Sequence, residues 1–174
     1  MYMQGFFDDK NKEYIIKDMK PRRPWLNYLW NENAVCMSDQ FGNGFSWMAI
    51  GTQRRDIERG VRNVYIKDRT TGEAYSATRN YGDLPFEVHE THVGINYQRG
   101  VSRYDGIEVV FTICVPKDDA VVLYNVKIIN KRGDNRLIDG YFCINPAPAL
   151  SWHDAYGVAD NDETLNGLLY SHDG

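Results

Sequence analysis

Between His92 and Asn130 the chain alternates apolar and polar residues in short runs separated by turn formers. Val109, Phe111, Ile113 and Val115 interleave with Glu108, Val110, Thr112 and Cys114. That is the period of two of a strand with one face on a core. Pro116-Lys117-Asp118-Asp119 stops this run, because proline has no ladder donor and aspartate favours turns. Val122, Tyr124, Val126 and Ile128 define a second run, and a third begins after the Asn130 to Asn135 turn. Val64 to Lys67 and Ala74 to Ala77 flank Asp68-Arg69-Thr70-Thr71-Gly72, which predicts a hairpin with glycine in the left-handed position. Tyr14-Ile15-Ile16 reads as an edge strand. Helical periodicity is weak, and its best candidate, Thr52 to Val61, is short and ends at Gly60. The pattern predicts an all-β, antiparallel β-sandwich with room for one or two short helices.

Length fits this picture with one domain over residues 1–174. A chain of this size buries about 70% of the surface it exposes when unfolded. No repeat, low-complexity tract or linker divides it. The net charge of −4 and the interspersed signs leave no basic face for a phosphate backbone, so nucleic acid is not an expected partner. Met1 to Lys12 lacks the apolar core of a signal peptide. No run approaches the roughly 20 apolar residues that span a bilayer, so a soluble cytoplasmic protein with no membrane partner is expected. Cys36, Cys114 and Cys143 are three, so they cannot all pair within the chain, which agrees with a reducing compartment.

Few residues invite chemistry. His89-Glu90-Thr91-His92 has two imidazoles, but positions i and i+3 of a strand face opposite sides, so no metal site is expected and His92 reads as a hydrogen-bonding residue at a strand start. Asp160, Asp162 and Glu163 lack the spacing of a calcium loop and read as a solvated acidic loop. Arg54, Arg55, Arg59 and Arg62 stand among Asp56 and Glu58, which predicts a solvent-facing charge network rather than a phosphate site. Trp25, Tyr28, Trp30 and Trp47 form an early aromatic group, suited to packing or to a carbohydrate platform. Trp152-His153-Asp154 follows a proline-interrupted stretch and so falls in a loop. An indole there offers a flat face to a sugar ring, while His153 and Asp154 can hydrogen-bond hydroxyls.

Three segments together resemble the N-terminal domain of the glycoside hydrolase family 94 sugar phosphorylases. The first is Gly5-Phe6-Phe7-Asp8-Asp9 with Glu13-Tyr14-Ile15-Ile16 and Pro24-Trp25-Leu26-Asn27-Tyr28-Leu29. The second is Tyr65-Ile66-Lys67-Asp68 with Thr71-Gly72-Glu73 and Ser76, where Tyr75 replaces the family's usual tryptophan. The third is His92-Val93-Gly94-Ile95-Asn96-Tyr97, Gly106-Ile107, Val115-Pro116-Lys117-Asp118-Asp119 and Ile129-Asn130. The likeness runs from residue 5 to about 145 and fades at Pro146-Ala147-Pro148-Ala149. It implies a galactose mutarotase-like supersandwich at the N-terminus of a larger enzyme, followed by a helical linker and an α/α barrel.

The resemblance also implies inverting cleavage of a β-glycosidic bond by inorganic phosphate, which needs one carboxylic acid and no enzyme nucleophile. That acid would lie in the barrel. No catalytic residue is therefore expected within residues 1–174, and no cofactor beyond phosphate as co-substrate. A homodimer is implied, with this domain at the rim of the partner's active site, and Trp152, His153 and Asp154 fall near the partner-facing loop. The alternatives are a free-standing carbohydrate-binding module and a purely structural assembly domain.

Overall fold

A computed structural model describes residues 4–79, 81, 83–146, 157–162 and 167–172, and side chains are described only within residues 4–146. Two six-stranded antiparallel sheets face each other. The first runs β1 (Gly5–Asp8), β2 (Glu13–Ile16), β8 (Val88–Val93), β9 (Tyr97–Tyr104), β10 (Ile107–Cys114), β11 (Leu123–Asn130). The second runs β12 (Ile138–Pro146), β6 (Gln53–Asp68), β5 (Gly44–Ile50), β4 (Ala34–Asp39), β3 (Leu26–Trp30), with β7 (Ala74–Ser76) paired to β6. A separate hairpin joins β13 (Gly157–Asp162) to β14 (Gly167–His172). No helix is present among the described residues, and none is long and apolar enough to cross a membrane.

The apolar alternation makes the core. Val109, Phe111, Ile113 and Val115 are all buried and meet Leu29, Ala34, Cys36, Val64 and Ile66 from the opposite sheet. Tyr124 and Val126 of β11 and Phe142 of β12 close the cluster, with the Phe111 and Phe142 ring centroids 5.6 Å apart. Asp105-Gly106 connects β9 to β10 with both residues at positive φ, 46° and 68°. This is the two-residue turn whose twist suits a hairpin. The Asp68–Gly72 turn is also as the sequence predicts: Asp68 Oδ1 accepts from the Thr70 and Thr71 amides, and Gly72 sits at φ 79°. Asn31 ties the sheets together, its Nδ2 donating to the Pro116 and Asp119 carbonyls in the loop after β10.

Three sequence expectations need correction. Thr52 to Val61 is not helical; all but its first residue lie in the 16-residue strand β6. Its few apolar residues hide the period of two, and the ladders to β5 and β12 on its two edges fix it as extended. A register shift opposite Ser46 and Trp47, together with Gly60 at φ 93°, lets so long a strand bend. Tyr14–Ile16 is not an edge strand, because β1 pairs outside it. Asp160 and Asp162 lie in strand β13 rather than in a loop.

Candidate functional site

Residues of β2, β8 and β9 on one sheet and of β3 and β4 on the other line an open cleft of about 150 Å³. Its walls follow from strand register. On the first sheet Tyr14, Val93, Gln98 and Ile113 are cross-strand neighbours on the inward face. On the second, Asn27 and Ser38 oppose each other on the inward face of β3 and β4. Pro24 holds Trp25 just ahead of β3, where the Trp25 amide donates to Gln40 Oε1 at 3.1 Å and the indole lies 5.4 Å from the Tyr14 ring. Phe7 braces Tyr14 from behind, edge to face at 4.8 Å. Gln98 Nε2 bridges the sheets by donating to Ser38 Oγ at 3.0 Å and to the Asp39 carbonyl, which gives the cleft a polar floor. The Asn27 side-chain nitrogen is buried in this wall and makes no hydrogen bond among the described residues.

A second polar group is sealed inside the sandwich. Arg62 and Glu58 are 0% exposed, and Arg62 Nε donates to Glu58 Oε1 at 2.8 Å. Arg62 also donates to Ser46 Oγ (2.9 Å) and to the Met37 and Gly42 carbonyls (3.0 Å each). The Tyr124 hydroxyl donates to Glu58 Oε1 at 3.1 Å, and burial pushes that phenol's pKa well up. The expected solvent-facing arginine network therefore splits. Arg54 and Arg59 do pair with Asp56 near the surface, but the β6 bulge turns Glu58 and Arg62 inward.

The outer face of the first sheet is polar and paired. Glu13 accepts from Tyr97 Oη and from Arg99 Nη2 (2.6 Å), and His92 Nδ1 lies 2.7 Å from its Oε2. Burial, the largest influence, raises the Glu13 pKa, but these partners outweigh it and hold the carboxyl below its usual range. His92 is the hydrogen-bonding residue expected, although it lies next to the last residue of β8 rather than at a strand start. His89 points inward instead, its Nε2–H donating to the Thr78 carbonyl, and burial pulls its pKa down. The two imidazoles thus face different surroundings. On the second sheet's outer face Leu26, Tyr28 (56% exposed) and Trp30 (70%) stand in the open beside Phe45 and Trp47, with Arg54 over both of the latter rings. The early aromatic group is therefore divided: Trp25 lines the cleft, the others face outward.

The family model for the Glycosyl hydrolase 94 supersandwich domain matches residues 12–155. The chain belongs to the glycosyl hydrolase 94 supersandwich family. Similar proteins are an N,N'-diacetylchitobiose phosphorylase of Vibrio furnissii, 27% identical over 150 residues, and a solabiose phosphorylase of Paenibacillus borealis, 26% identical over 151. These alignments cover 79% and 80% of this chain but only 18% and 20% of the relatives. A 3-O-beta-D-glucopyranosyl-beta-D-glucuronide phosphorylase of Paenibacillus borealis is 35% identical over 72 residues, 41% of this chain and 9% of its own. The chain spans about a fifth of the length of the first two.

Within this supersandwich domain, Trp152, His153 and Asp154 lie outside the described residues, although the family match extends across them. The structure brings together Tyr14, Trp25, Asn27, Gln40 and Gln98 instead. Sequence reasoning missed this set because its members come from three strands and two loops. The one legible signal was the inward parity of Tyr14 and of Asn27, each two residues from a core isoleucine or leucine.

Proposed function

We propose that this chain is the N-terminal, non-catalytic supersandwich of a cytoplasmic inverting phosphorylase that cleaves a β-linked disaccharide or oligosaccharide with inorganic phosphate to give a sugar 1-phosphate. The observation that carries the reading is the extent of the family match, residues 12–155, beside phosphorylases of which this chain spans only about a fifth. Attack by phosphate with inversion asks the enzyme for one acid and a phosphate site, and this reading places both in another part of the parent enzyme. The domain's part is mechanical: it forms the homodimer and carries the 152–154 segment to the rim of the partner's active site.

The asymmetry of its two outer faces supports that role. One is laced with ion pairs, Glu13 with Arg99 and Glu108 with Arg103, while the other exposes Leu26, Tyr28 and Trp30. An exposed apolar array on a sheet face is what a self-complementary dimer contact buries. Incubating the 174-residue chain with glucose 1-phosphate and glucose, N-acetylglucosamine or cello-oligosaccharide acceptors tests the catalytic half of the proposal. No phosphate release above background is expected, and release with any acceptor refutes it.

A further inference from the structure

We propose that the cleft between Tyr14, Trp25 and Asn27 binds one neutral pyranose ring, a hexose or N-acetylhexosamine. The inference rests on the cleft alone and is independent of the phosphorylase reading. Its walls are complementary to such a ring: Tyr14 and Trp25, tilted 45° to each other, present π faces to axial C–H groups. The remaining wall sets Ile16, Leu26 and Val93 beside neutral amides and a hydroxyl, Asn27, Gln40, Gln98 and Ser38, which can exchange hydrogen bonds with sugar hydroxyls. Asn27 Nδ2 supplies the most specific cue. A buried N–H donor without an acceptor among the described residues is costly, and a turn of the Asn27 side chain toward the cleft lets a ligand oxygen supply one.

Charge and size narrow the class. No lysine or arginine lines the cleft, so it has no counter-ion for a phosphate or a uronate. Asp39 is its one acidic neighbour, and Asp39 Oδ1 already accepts from the Phe41 and Asn43 amides at 2.8 and 2.9 Å. A volume of about 150 Å³ accommodates one ring rather than a chain. For a ligand of this few atoms, half-saturation falls on the order of 1–10 mM.

Titration of the ¹⁵N-labelled 174-residue chain with glucose, with N-acetylglucosamine and with cyclohexanol, followed by NMR, tests the proposal. The expected result is saturable movement of the Trp25 indole N–H and the Asn27 side-chain amide with at least one sugar and not with cyclohexanol. Asn27→Leu is expected to weaken binding by about tenfold, Trp25→Ala to abolish it, and Tyr28→Ala on the outer face to leave it unchanged. Mapping on the unmodified chain decides the matter even if a variant misfolds. Absence of shifts well above the millimolar range, shifts confined to the Tyr28–Trp30 face, or equal response to cyclohexanol each overturn it. Turnover of glucose 1-phosphate bears on the phosphorylase reading and leaves this result untouched.

Discussion

Replacing Arg62 with methionine should remove a large fraction of this domain's stability. The guanidinium is fully enclosed and serves Glu58, Ser46 and the carbonyls of Met37 and Gly42. Methionine fills much of the volume but donates nothing, so it leaves a buried carboxylate short of its counter-charge and two carbonyls without donors. Breaking a buried pair from one side costs about 3–5 kcal/mol, and each of the two orphaned carbonyls adds about 1 kcal/mol, so the loss is about 5–7 kcal/mol. Against a domain stability of about 5–15 kcal/mol this leaves a marginal fold. With a urea m-value of about 2 kcal/mol/M, the midpoint should fall by at least about 2 M. The double variant Glu58→Leu with Arg62→Met should lose far less than either single change, because Glu58 Oε2 is unpartnered even in the native network and the apolar pair removes that debt. Circular dichroism and tryptophan fluorescence across urea titrations of the three variants measure the coupling. A single Arg62→Met loss under about 1 kcal/mol, or a double variant as weak as the sum of the singles, refutes the argument that this pair is a sealed and mutually dependent charge.

Three further outcomes are expected. Gly44→Ala places a Cβ 2.0 Å from the Met37 carbonyl oxygen and should cost about 1–3 kcal/mol by thermal melting, while Gly133→Ala, with open space around it, should stay within about 0.5 kcal/mol of the parent. The half-buried His89 is depressed below its ordinary 6.5, so the unfolded chain binds its proton first; stability should be full above pH 6.5 and fall as pH drops below it, with His89→Phe flattening that slope. Glu13, also depressed, adds its own loss only below its ordinary 4.5, seen as a second decline in an acid titration. Light scattering should show concentration-dependent self-association of the 174-residue chain that Trp30→Lys abolishes without lowering its melting temperature; a parent that stays monomeric at high concentration overturns the dimer contact.

How much of this was legible in the sequence depends on whether a residue's environment is set locally. Strands β10 and β11 were readable because their inward positions are apolar, and Val109, Phe111 and Ile113 announce a period of two unaided. The Asp68–Gly72 turn was readable because a positive φ at Gly72 demands a particular residue type. The first part of β6, up to Arg62, was not, because its inward positions include Glu58 and Arg62, whose hydrogen-bond partners lie 4 to 66 residues away. A charged residue in a core looks like a surface residue until its partners are placed around it. The same logic hid the cleft, whose polar wall comes from amides on β3, β9 and the turn after β4.

That the two polar interiors differ in kind is the stronger argument for assigning them different roles. The Glu58–Arg62 group is enclosed, and its members satisfy mainly one another; such a network fixes how the sheets stack and has no route to a ligand. The cleft group is half-open, has aromatic rings on one side, and holds a buried amide donor with no acceptor among the described residues. Removing a member of the first should lower stability with no effect on sugar shifts. Removing Asn27 should do the reverse, since leucine there relieves an unpaired donor while deleting the contact that a ligand would use. Opposite responses in the two assays separate a scaffold network from a binding wall, and matching responses would mean that the cleft is only a fault in the packing.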